Sequence, residues 1–198
     1  MEKIRAFIAV DVEGEKLKHE LVEFQQRLLS EGADAKLVVP ENLHLTLRFL
    51  GEIEEDVIQR IAEGMKALSL EPFEIQFKGV GAFPSITRMN VVWVAIEKGG
   101  RELKEIAETL EPCIIDNGIP PDRKGFSPHL TVARIRSGRN KQQVSDLLGE
   151  LGERDFGSME TESIRLKKSV LTPDGPIYST LFEVKAGNSV SARTYLRT

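Results

Sequence analysis

The chain has 198 residues, 40% of them hydrophobic and 29% charged, with a formal net charge of −4 at neutral pH. That is enough apolar material for one large core or two tightly joined lobes, and the acidic balance excludes a protein that coats nucleic acid through charge alone. One cysteine, Cys113, excludes an intrachain disulfide and a multi-cysteine zinc site; it fits a reducing compartment, with packing as its expected role.

Met1 to Val12 reads as a short apolar strand with charges inside it rather than a signal peptide. No run approaches the length needed to span a bilayer, so a cytoplasmic location is expected. Arg5 to Asp11 alternates as a strand, Gly14 to Ser30 has helical spacing through Leu17, Leu21, Phe24 and Leu28, and Leu43 to Leu50 alternates again. Glu54 to Leu68 is a helix with Val57, Ile58, Ile61 and Met65 on one face, followed by a strand from Glu74 to Val80. Beyond a loop punctuated by glycine and proline, Asn90 to Glu97 is a buried strand. Glu102 to Asn117 is a helix that Gly118, Pro120 and Pro121 end. Ser127 to Ile135 is a strand, Lys141 to Leu151 a helix, and Ser163 to Leu171 with Ile177 to Lys185 a hairpin. Helices and hairpin-like strands without regular βαβ spacing point to an α+β fold with antiparallel sheets. Residues 1–185 are expected to form one domain and 186–198 a polar tail.

Two of the three histidines stand in the same tripeptide, His44-Leu45-Thr46-Leu47 and His129-Leu130-Thr131-Val132, 85 positions apart. Side chains alternate along a strand, so His44 and Thr46 project one way and Leu45, Leu47 and Phe49 the other. Each tripeptide is then a strand with an apolar back and an imidazole plus a hydroxyl in front. The remaining histidine, His19, falls on the polar side of its helix and reads as a surface residue. Arg123, Lys124, Arg134, Arg136, Arg139 and Lys141 surround the second tripeptide with no acidic residue among them, a local field suited to an anionic substrate.

Two imidazoles facing one cleft suit acid/base attack on a phosphate ester. Imidazole titrates near neutrality, so one ring can accept a proton from water while the other gives one to the departing oxygen. Threonine hydroxyls can donate to phosphate oxygens, and a guanidinium can clamp them. No metal or organic cofactor is needed for this scheme. Zinc normally takes three protein ligands, and neither motif supplies a close second histidine, cysteine or carboxylate. No Gly-x-Ser-x-Gly elbow marks a serine nucleophile. By alternation Arg48 shares the face of His44, whereas Arg134 falls opposite His129 unless the strand bends near Ala133.

These flanks carry a resemblance. Arg5 to Val10, Pro40 to Gly51 around the first tripeptide, Gly81-Ala82-Phe83-Pro84, Phe126 to Arg134 around the second, and Gly175-Pro176-Ile177-Tyr178 resemble the two-histidine (2H) phosphoesterase superfamily. Within it they resemble the RNA 2′,3′-cyclic phosphodiesterases, also called 2′-5′ RNA ligases. The resemblance implies a bilobal fold with a pseudo-twofold axis, two antiparallel sheets lining a cleft and helices outside. It implies His44 as proton donor and His129 as proton acceptor, with Thr46, Thr131 and Arg134 on the phosphate. The family often has a basic residue two positions before the motif phenylalanine, here Lys124. The expected reaction is hydrolysis of a 2′,3′-cyclic phosphate at an RNA 3′ end to a 2′-phosphate, by a monomer, without membrane or cofactor. The alternatives are 2′-5′ joining of tRNA halves and a non-catalytic RNA- or nucleotide-binding module.

Overall fold

The computed structural model describes residues 3–123 and 125–187. The chain runs β1 (Ile4–Asp11), α1 (Glu15–Ser30), β2 (Ala35–Leu37), β3 (His44–Ile53), α2 (Glu55–Met65), β4 (Glu74–Phe83), β5 (Val91–Lys98), α3 (Gly100–Asp116), β6 (His129–Ile135), α4 (Lys141–Glu150), β7 (Asp155–Glu160), β8 (Ser163–Thr172) and β9 (Gly175–Lys185). The expected α+β class and the histidine-bearing strands are present. Two strands that alternation does not announce, the three-residue β2 and β7, are additional. Residues 188–198, most of the expected tail, lie outside the described residues.

The strands form two antiparallel sheets, ordered β3-β1-β8-β9 and β2-β6-β5-β4-β7. Apart from β2 the orders are equivalent: each histidine strand pairs with the strand that opens its half of the sequence, β1 or β5. The halves are not separate lobes in sequence, however. The final hairpin β8-β9 completes the first sheet, while β4 from the first half lies beside β5. The helices cross over in the same way, α1 packing against β6 and β7 and α3 against β3 as well as β5.

The α1 stripe read from the sequence, Leu17, Leu21, Phe24 and Leu28, is buried, and of the α2 stripe Ile58, Ile61 and Met65 are buried and Val57 partly so; on α3, Leu103, Leu110 and Ile114 are buried as well. Each such side chain contributes roughly 1.5–3 kcal/mol by burial. Cys113 serves the expected packing role: a Cβ added at Gly64 of α2 would stand 2.2 Å from its Sγ, so the glycine admits the thiol of α3.

Candidate active site

β3 and β6 come from different sheets, and their cleft-facing side chains line one cavity of about 1040 Å³ that includes His44, Thr46, His129, Thr131 and Arg134. Both imidazoles are held in the same way. Nδ1 of His44 lies 2.6 Å from the carbonyl oxygen of Asn42, and Nδ1 of His129 lies 2.7 Å from that of Ser127. A carbonyl only accepts, so each Nδ1 carries the hydrogen and each Nε2 is the atom left to take or give a proton. Each ring also stands edge-on to an aromatic, His44 to Tyr178 at 5.2 Å and His129 to Phe83 at 4.9 Å.

Strict alternation breaks just after each histidine motif. On β6, Thr131 pairs with Trp93 and Ala133 with Val92, leaving Val132 as an extra residue; on β3, Thr46 pairs with Ala9 and Arg48 with Ile8, leaving Leu47 extra. A bulge of this kind reverses the parity of the residues beyond it. Arg134 therefore emerges on the same face as His129, supplying the bend its place at the cleft requires. The same bulge corrects two expectations on β3. Arg48 still lines the cavity, but past the bulge it leaves the strand on the face opposite His44, and its guanidinium is tied toward the helix side, where Nε donates to Glu111 of α3 at 2.7 Å and one terminal nitrogen donates to Glu111 at 3.1 Å and to the Pro120 carbonyl at 2.5 Å. Phe49, expected on the apolar back, faces the cleft and is 61% exposed. Phe49 thus occupies on β3 the position that Arg134 holds on β6.

The bulges are buttressed from the crossing helices. The Val132 carbonyl accepts from the Val38 amide at 2.9 Å and from Nε2 of the buried Gln25 on α1 at 2.8 Å. Gln25 also donates to the Val38 carbonyl at 2.7 Å, joining the segment after β2 to β6. On the other lobe, Glu111 of α3 grips Arg48.

The surroundings of the two histidines differ in charge. Behind His44, Asp11 of β1 accepts from Lys167 at 2.5 Å and from Arg165 at 2.7 Å, and Arg165 extends to Glu183 and Glu13. Lys167 is buried, its ammonium over the Tyr178 ring. Burial alone would raise the Asp11 carboxyl, but the bonds and charges of Lys167 and Arg165 outweigh it and hold it below its ordinary value. Burial holds His44 below the usual imidazole range; the Asn42 carbonyl and the charge of Asp11 oppose this, and Lys167 and Arg134 add to it. Around His129 the equivalent positions are apolar. Phe83 and Trp93 pack at 5.1 Å, and a Cβ on Gly81 would fall 2.4 Å from the indole, so the glycine makes room for that aromatic floor.

Thr46 and Thr131 both line the cavity, as expected, while Lys124 lies outside the described residues. His19 is on the surface beside Glu23. Lys36 is a cleft residue that sequence reasoning misses: β2 places it opposite Arg134, where it lines the same cavity, and a three-residue strand leaves no periodic signal. Asn42 is another. Its carbonyl orients His44, and its side chain donates to the Pro176 carbonyl at 2.9 Å, fixing the β8-β9 turn to the motif. The signal available for it is its place two positions before the histidine, the same offset that Ser127 has from His129.

Two equivalent sheets, each presenting a His-x-Thr strand to a shared cleft, define a two-histidine phosphoesterase. The AKAP7 2′5′ RNA ligase-like domain family matches residues 6–185. An RNA 2′,3′-cyclic phosphodiesterase of Aeropyrum pernix is 43% identical over 169 residues, 85% of this chain and 96% of that protein. Among solved structures, TT0787 of Thermus thermophilus superposes with a TM-score of 0.76 at 29% identity, covering 93% of this chain and all of that one. E. coli LigT complexed with 3′-AMP shares the fold, with a TM-score of 0.74 at 21% identity over 95% of this chain and all of that one. The chain belongs to the RNA 2′,3′-cyclic phosphodiesterase family of 2H phosphoesterases and is an enzyme.

Proposed function

We propose that the protein hydrolyses the 2′,3′-cyclic phosphodiester at an RNA 3′ end to a 2′-phosphate, without metal. The observation that carries this is the matched pair of imidazoles in one cavity, each with Nδ1 tied to a carbonyl, which leaves Nε2 as the atom to exchange a proton. Water attacks phosphorus and gives its proton to Nε2 of His129, while Nε2 of His44 protonates O3′ as the P–O3′ bond breaks. Thr46 and Thr131 donate to the non-bridging oxygens, and Arg134, with Lys36 beside it, neutralises the charge that develops there. Phe49, Val39 and Ile177, all exposed on the cavity wall, offer an apolar surface for the nucleobase.

The donor must be charged when the oxygen departs, and burial of His44 opposes that in the free protein. The entering phosphate works the other way, since an anion beside the ring favours its charged form. In-line geometry then fixes one product. Turnover of a cyclic-phosphate oligonucleotide in excess EDTA, with the product resolved by phosphorus NMR, tests the reading: a 2′-phosphate alone is expected. A 3′-phosphate would exchange the roles of His44 and His129, and activity lost on chelation and restored by zinc or magnesium would overturn the metal-free scheme.

A further inference from the structure

Beyond the far end of β6 lies a second cavity of about 520 Å³, and its wall carries Arg88, Arg136, Arg139 and Lys141 together with Asn90 and Ser137. No acidic side chain among the described residues lines it. Among the described residues none of these four cations forms an ion pair, whereas surface cations elsewhere commonly do: Arg27 with Glu150, Lys66 with Glu63, Lys98 with Glu74 and Arg101 with Glu102. In a chain of net charge −4, four unpaired cations around one concavity are not the average surface. Lys141 is also the first residue of α4, whose first turn has no acidic side chain, so it adds charge to a helix end that is already positive. That placement is unfavourable for the free protein and favourable for a bound anion.

The cavity adjoins the cleft. Pro84 lines both, and Arg136 follows Arg134 by two residues as β6 ends. The exit is fixed, because the amide of Ile135 donates to the Asn90 carbonyl at 2.9 Å and that of Arg136 to the Asp34 carbonyl at 2.8 Å. At about 3.3 Å per strand residue, Arg136 stands roughly 20 Å along the chain from His129, farther than the terminal nucleotide alone can reach.

We infer that this pocket is a second anion site that holds the phosphodiester backbone of the RNA strand 5′ of the cyclic end, an inference that rests on the proposed reading of the cleft. Lys36 and Arg134 begin the track inside the cleft, and Arg136, Arg139, Arg88 and Lys141 continue it outside. The contacts are to phosphates, so they add affinity and reach without sequence preference.

The test compares two substrates with the same 3′-terminal dinucleotide cyclic phosphate, one a dinucleotide and one an octamer. In the Arg136→Gln/Arg139→Gln double variant, and separately in Arg88→Gln, KM for the octamer is expected to rise roughly tenfold. The dinucleotide should be turned over as by the unmodified protein. The plot of log(kcat/KM) against log salt for the octamer should become shallower by about 0.7 for each cation removed. Equal defects on both substrates would reduce these residues to long-range steering, and no defect on either would return them to solvated loops; each result overturns the inference. Turnover of neither substrate by the unmodified protein would instead defeat the reading of the cleft. Fluorescence anisotropy with a labelled octamer ending in a 2′-phosphate would then still decide the track, since loss of its binding in the double variant supports the track and unchanged binding overturns it.

Discussion

The two halves of the cleft repeat each other in the atoms that would do chemistry and diverge in nearly everything behind them. His44 and His129 have the same carbonyl tether, the same edge-on aromatic, a threonine two residues on, and a bulge one residue after that. Beyond the bulge, one lobe turns Arg134 to the cleft and the other turns Phe49. Beneath, His44 packs against Phe7 with the charged network of Asp11, Lys167 and Arg165 beside it, while His129 packs against Phe83 and Trp93. A symmetric pair of proton-transfer groups has no reason to distinguish donor from acceptor, or O2′ from O3′. The asymmetry needed to orient the ribose must come from the surroundings, with charge on one wall and an exposed aromatic on the other.

The largest effects should come from the shared part. His44→Ala and His129→Ala are each expected to lower kcat by about 10²–10⁴, and the double variant should be little worse than either, since residues acting as one unit are not additive. A substrate with sulfur at the 3′ position separates the halves, because a thiolate leaves without needing a proton. It should restore much of the rate to His44→Ala and none to His129→Ala; the opposite pattern would exchange their roles.

The two arginines behind the motifs test the bulges. Arg134→Ala should lower kcat/KM on the order of a hundredfold at both low and high salt, as expected for a group that meets developing charge. Arg48→Ala should leave catalysis nearly intact and cost about 1–3 kcal/mol of stability, because it removes the charged partner of the partly buried Glu111 and leaves it the Asp122 amide. A large, salt-resistant loss of turnover in Arg48→Ala without loss of stability would give that guanidinium a role on the substrate instead. Gln25→Leu removes the donor that supports the Val132 bulge and leaves a buried carbonyl with one partner fewer, at about 1–3 kcal/mol. It should also raise KM by loosening Arg134, and thermal unfolding together with kinetics on one preparation checks both.

His44 and His129 are legible in the sequence because each repeats with identical neighbours, and the amphipathic helices are legible because a core demands their spacing. The exchange of faces between Arg48 and Arg134 is not. Both come within a few residues of a His-x-Thr, and a bulge appears only in the register between two strands that are distant in sequence. Alternation alone therefore places Arg48, Arg134 and Phe49 on the wrong sides. Lys36 is invisible for a related reason, since its site exists only through the pairing of β2 with β6. Asp11 and Lys167 stand 156 positions apart, and nothing local marks them as partners.

The smallest effect is the most discriminating, because the charged network lies behind one histidine only. Asp11 favours the charged form of His44 and Lys167 opposes it. Asp11→Asn should therefore push His44 further below the ordinary imidazole range, and Lys167→Met should let it rise. On the alkaline side of the pH profile both rings are neutral, so kcat/KM is proportional to the small charged fraction of the donor. On the acidic side both are charged, and the rate is proportional to the small neutral fraction of the acceptor. If His44 is the donor, Asp11→Asn should lower kcat/KM on the alkaline side by roughly two- to fivefold, the change that a fraction of a pKa unit produces, and leave the acidic side unchanged. Lys167→Met should raise the alkaline side by a similar factor. If His44 is the acceptor, both changes move to the acidic side and reverse in sign, Asp11→Asn raising the rate there and Lys167→Met lowering it. Because the two variants act in opposite directions, a general loss of folding cannot imitate the pattern. A profile that neither variant moves would mean that the asymmetry behind His44 serves stability alone and that the walls of the cleft, Phe49 and Arg134, are left to set the direction of the reaction.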